Sequence, residues 1–144
     1  MSADQIFSIC NSAALLGWLV LAIFGRKRWA SYLATGVILP LLLAIAYLTL
    51  LLAHWGETKG GFATLDGVAA LFANRWVLLA GWIHYLCFDL FIGSWQVRDA
   101  AARGISHWLV VPCLFFTFMF GPVGLLLYFV LRFSVTRKLT LLEA

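Results

Sequence analysis

The sequence predicts an all-α protein, a four-helix transmembrane bundle with a Gly-Pro interruption in its last span. Composition is the first reason. The chain is 64% hydrophobic and 11% charged, with a mean hydropathy of +0.99. A soluble domain is closer to half apolar and about a quarter charged, so these residues cannot supply a water-facing surface. Segmentation is the second: four apolar runs, each about the ~20 residues a helix needs to cross the hydrocarbon, are separated by short polar stretches. The third is the placement of charge. The net charge is only +4, and the Lys and Arg sit at the ends of the apolar runs, a topological pattern and not a nucleic-acid stripe. Residues 1–144 read as one integral membrane domain whose first partner is the lipid bilayer.

The first span, residues 6–24, stops at "GRKRW". The second, 30–53, stops at "HWGETKGG". A Gly-containing loop over 54–74 carries "ATLDGVAALFA", which fits a short interfacial helix. The third span covers 76–97 and is closed by "RDAAARG". The fourth, 108–133, is broken by "GPVG" at 121–124. A proline kink in one continuous helix is the commoner outcome of such a break; a re-entrant pair is the other. Cys10, Cys87 and Cys113 lie inside apolar runs without CxxC spacing and read as packing residues. No cleavable signal or transit peptide is expected.

Counting Lys and Arg orients the chain. Arg26, Lys27, Arg28, Arg98 and Arg103 outnumber Lys59 and Arg75, which predicts a cytoplasmic basic side and an outside N-terminus. Arg132, Arg137 and Lys138 even the count if the last run crosses fully, and reinforce it if that run turns back.

Inside the third span stand His84 and Asp89, the latter the sole carboxylate in any span. Ionisable groups at such depth are expensive and mark function by default. At ~1.5 Å per residue, His84 lies about 13 Å below Arg75, and Asp89 roughly 7 Å deeper. They are about 140° apart on a helical wheel at ~100° per residue, so they cannot stack, yet both can face a bundle interior. Trp95, Gln96 and Asp99 share their broad arc. Asp99 and His107 flank the short basic loop. Asn11 and Tyr47 fall near the depth of His84 and Thr35 near that of Asp89, which suggests a polar seam that lines a substrate. Each has a plainer reading as a satisfied packing group, loop ion pair or interfacial anchor.

Phosphate loops, Ser-His-Asp patterns and HExxH are missing from the sequence. His54, His84 and His107 fall at three different depths, which argues against a bis-histidine haem. Two carboxylates and two imidazoles remain. A carboxyl away from water can hold a proton to donate, and an imidazole can be its complementary base. The set His84, Asp89, Asp99 and His107 also has the donor types of a divalent-ion site, although H-x4-D and D-x7-H are no established metal signature.

"GWIHYLCFDLFIGSWQVRDAAARGISH", followed by "LVVPCLFFTFMFGPVGLLLY", resembles the abscisic-acid-deficient-four-like family, the small membrane proteins similar to plant neoxanthin synthase. The likeness is strongest over residues 81–128. It implies a four-span protein acting on a carotenoid or related isoprenoid by isomerase-type chemistry, in which an acid meets an epoxide oxygen and a base a neighbouring carbon. The matching positions are His84, Asp89, Asp99 and His107. The compact chain looks like a bacterial, inner-membrane member, for which the substrate could be another polyene or isoprenoid. The rival readings are a non-catalytic carotenoid- or lipid-binding subunit, compatible with a homo-oligomer, and a small proton-coupled transporter.

Overall fold

The computed structural model describes residues 1–54, 56 and 59–137; Lys138 of the basic tail lies outside them. Helix α1 spans Ala3–Phe24, α2 Trp29–Ala53, α3 Leu65–Phe72, α4 Arg75–Ala102, α5 His107–Phe120 and α6 Pro122–Thr136. Among the described residues three helices, α1, α2 and α4, are long and apolar enough to cross a membrane.

Each start has a local cause. Ser2 and Gln5 form a capping box on α1: Gln5 N–H donates to Ser2 Oγ at 3.3 Å, and Ser2 N–H donates to Gln5 Oε1 at 2.8 Å. The Thr64 hydroxyl accepts the Gly67 N–H at 3.0 Å and starts α3. Asn74 Oδ1 accepts the Trp76 N–H at 2.9 Å and starts α4.

The first ten residues of α2, Trp29–Ile38, form a π-helix. Pro40 follows directly and withholds the N–H that an α-helix would send to the Gly36 carbonyl, and a widened turn accommodates that loss. The Thr35 hydroxyl donates to the Ala30 carbonyl five residues back at 2.9 Å.

Helix α4 is central and packs against all the others. Small residues set its closest approaches, as lipid-solvated helices require. A Cβ on Gly93 would stand 2.7 Å from the Trp18 ring of α1, and one on Gly17 3.0 Å from Leu90. Two apolar clusters result, one around Trp18, Leu21, Leu90 and Tyr128, the other around Ala14, Leu43, Leu79 and Ile83.

The fourth apolar run departs from the continuous kinked span expected of it. α5 ends at Phe120, Gly121 adopts φ +44° and ψ −93°, and α6 starts at Pro122. The two short helices fold back on each other. A Cβ on Gly124 would collide with the Thr117 backbone, whereas residues seven apart in one helix are separated by ~10 Å of rise. Thr117 and Tyr128, on either side of the break, both reach the same end of α4, at Gln96 and Asp99. Gly121 itself packs on Asp89, about 15 Å further along α4. The segment is a hairpin with its tip at the depth of Asp89. A kink yields to a turn here because Gly121 takes a backbone conformation closed to other residues.

Candidate functional site

One face of α4 meets the hairpin. Tyr85, Asp89, Gln96, Asp99 and Arg103 recur on it at helical spacing, and all but Asp89 make a hydrogen bond to the hairpin or within their own stripe. The Tyr85 hydroxyl donates to the Phe118 carbonyl at 3.0 Å and lies within interaction range of the Asp89 carboxyl. Gln96, fully buried, donates through Nε2 to Thr117 Oγ1 at 3.0 Å. Asp99 takes three donors: Tyr128 OH at 2.6 Å and Arg132 Nε at 2.9 Å on Oδ2, and Arg103 Nε at 2.9 Å on Oδ1. Arg132 is 0% exposed, and the Asp99 carboxylate is one partner that offsets the cost of burying its charge.

Asp89 differs from its neighbours. Its Oδ2 is buried and makes no hydrogen bond. A buried polar atom without a partner costs about 1–3 kcal/mol, and such an atom calls for an explanation. The carboxyl covers the hairpin tip, and a Cβ on Gly121 would lie 3.0 Å from Oδ1 and 3.1 Å from Oδ2. One turn away, Tyr85 helps line a cavity of about 250 Å³ between α1, α4 and α5, with Asn11, Leu15, Trp82, Leu86, Phe118 and Met119. A second apolar hollow of about 330 Å³ follows along α1 and α4 towards the Asp4–Arg75 ion pair, and Trp82 lines both. Trp82 Nε1 donates to Asn11 Oδ1 at 3.0 Å.

The remaining candidates are dispersed. His84 is exposed on the opposite flank of α4, its ring 4.6 Å from that of Phe88 and 5.8 Å from that of Tyr47. His107 is buried at the start of α5 with Nε2 2.8 Å from the Ala22 carbonyl, and there it ties α5 to the end of α1. Thr35 is buried against α4 and accepts the Ser94 hydroxyl at 2.7 Å. Trp95 meets the Tyr128 ring edge-on at 5.4 Å. Asn11 alone of the proposed lining residues reaches a cavity among those described. The four residues considered as a metal set do not converge: among the described residues no three His, Cys, Asp or Glu side chains are grouped to hold an ion. Tyr85 and Tyr128 were not singled out from the sequence, and Gly121 and Arg132 were read there only as a chain break and a topological charge; the helical spacing of polar groups after Tyr85 is the signal that would have found it.

The fold defines an all-α integral membrane protein, with three helices long and apolar enough to cross a membrane and a carboxyl midway along one of them. The sequence profile of the ABA DEFICIENT 4-like family matches residues 5–128, and the chain belongs to that family. No curated protein and no solved structure is detectably similar to it.

Proposed function

We propose that the protein modifies a carotenoid or related isoprenoid inside the bilayer by isomerase-type acid/base chemistry at Asp89. The observation that carries this reading is the unpartnered, buried Asp89 Oδ2 at the hairpin tip, one turn from a lipid-facing cavity. Membership of the ABA DEFICIENT 4-like family supports the substrate class through the resemblance to neoxanthin synthase.

An isomerisation needs no net proton. The proton that Asp89 gives to a substrate oxygen is balanced by the one removed from a neighbouring carbon, so a single carboxyl can end as it began. Tyr85 is the group beside it, since rotation of its O–H away from Phe118 turns the donor towards Asp89. His84, on the α2 side, stands apart from this chemistry. Asp99 and His107 hold the hairpin and the basic loop in place, which is a positioning role.

We further propose three crossings and a re-entrant hairpin in place of four crossings. Arg132 and Arg137 then join Arg26, Lys27, Arg28, Arg98 and Arg103 at one end, against Lys59 and Arg75 at the other. The positive-inside tendency makes the basic end cytoplasmic and the N-terminus external, as in a bacterial inner membrane.

A second reading, a non-catalytic carotenoid- or lipid-binding subunit, draws on the cavity itself, whose lining holds no ionisable carboxylate or imidazole. Production of the chain in a carotenoid-making host, with chromatography of the extracted and the co-purified pigments, separates the two. A pigment absent from the empty host supports catalysis. Co-purified but unchanged pigment supports binding alone.

A further inference from the structure

On the flank of α4 turned away from the hairpin, Arg98 takes an unusual path. An arginine near the end of a spanning helix ordinarily extends outward to water. Arg98 instead leans back towards the bilayer centre. Its guanidinium lies 5.9 Å from the ring centroid of Phe91, two turns deeper on the same helix, and 5.4 Å from that of Tyr32 on α2. Nη1 donates to the Ser31 carbonyl at 2.6 Å, a carbonyl of the π-helical segment. Gly36 leaves the room, since a Cβ there would stand 2.6 Å from Nη1. A guanidinium has five N–H donors, and one bond to Ser31 leaves most of them to be matched.

Arg28, at the N-cap of the same π-helix, places its guanidinium 5.5 Å from the Tyr32 ring centroid. Two cations therefore share one aromatic ring. Among the described residues neither has a carboxylate partner; the adjacent Asp99 faces the hairpin and is held by Arg103 and Arg132. Tyr32 is 52% exposed and Phe91 44% exposed, so the seam opens to lipid. Charge lies at its outer end and apolar surface at its inner end.

We propose that this α2–α4 seam binds an anionic phospholipid, its phosphate on Arg28 and Arg98 and the first part of an acyl chain over Tyr32 and Phe91. A free anion would match the cations but not the apolar continuation beneath them. The π-helix is part of the site, because the widened turn turns the Ser31 carbonyl to Arg98 and so fixes the guanidinium at this depth.

Native mass spectrometry of the full-length chain in detergent tests this, with phosphatidylglycerol and phosphatidylcholine of identical acyl chains as probes. Phosphatidylglycerol is expected to be retained about tenfold more tightly, because phosphatidylcholine brings the same phosphate with a quaternary ammonium that the two guanidinium groups repel. Arg28→Gln, which leaves the Arg98–Ser31 bond intact, is expected to remove most of that preference, and Lys27→Gln to leave it unchanged. Arg98→Gln is expected to abolish it; should that variant not fold, the Arg28 and Lys27 pair decides. Equal retention of both lipids overturns the proposal. So does an equal loss in Lys27→Gln and Arg28→Gln, which would mean diffuse surface charge. Displacement by inorganic phosphate at matched concentration would make the site one for free anions and overturn it too.

Discussion

The carboxyl of Asp89 rests on Gly121, close enough that any side chain at position 121 would meet it at 3.0–3.1 Å. The pair joins the central helix to the tip of the hairpin. A glycine that must take φ +44° and an acid at membrane depth thus belong to one feature.

Gly121→Ala is expected to destabilise the protein by roughly 1–3 kcal/mol from backbone strain, with an added contribution from the carboxyl. Thermal unfolding in detergent checks this. In Asp89→Ala the second contribution is gone, so the double variant should be less destabilised than the sum of the two singles. Strict additivity would mean that the two residues do not press on each other.

Asp99→Ala should cost far more than Gln96→Leu, although both residues bond the hairpin. Loss of Asp99 removes at once the acceptor of three donors, Tyr128 OH, Arg103 Nε and the fully buried Arg132 Nε, which should cost roughly 3 kcal/mol or more. Loss of the Gln96 amide leaves Thr117 still bonded to the Cys113 carbonyl at 2.8 Å, so the cost should stay near 1 kcal/mol. Comparison of the two melting temperatures checks the order; similar shifts would show that Arg132 is not held by Asp99.

Single cysteines placed at Lys27 and Arg137 in a background free of Cys10, Cys87 and Cys113 should react with an impermeant maleimide from the same side of the membrane. A cysteine at Asp4 should react from the other. Labelling of Arg137→Cys from the Asp4 side would restore a continuous fourth span.

Much of this was legible beforehand. Apolar run length was enough for α1, α2 and α4, and position inside an apolar run marked both His84 and Asp89 as candidates. Two matters were not legible, for physical reasons. A Gly-Pro pair reads the same whether a helix kinks or turns; what decides is long-range, the burial of Tyr128 and Arg132 against Asp99, 29 and 33 residues away. The flank of His84 was hidden for a different reason. In water an apolar stripe marks the core face of a helix, but in lipid both faces are apolar, so nothing in the pattern around His84 says which way it points. The sequence allowed both Asp89 and His84 to face the bundle interior, and the structure leaves His84 exposed beside Tyr47 of α2.

The central claim, that Asp89 is the working acid, is tested most directly by pigment chromatography from a carotenoid-producing host carrying Asp89→Asn or His84→Ala, each checked for equal membrane insertion. Asp89→Asn keeps the volume and removes the exchangeable carboxyl proton, so conversion should be lost, while His84→Ala should retain it. Undiminished product from Asp89→Asn would contradict the account.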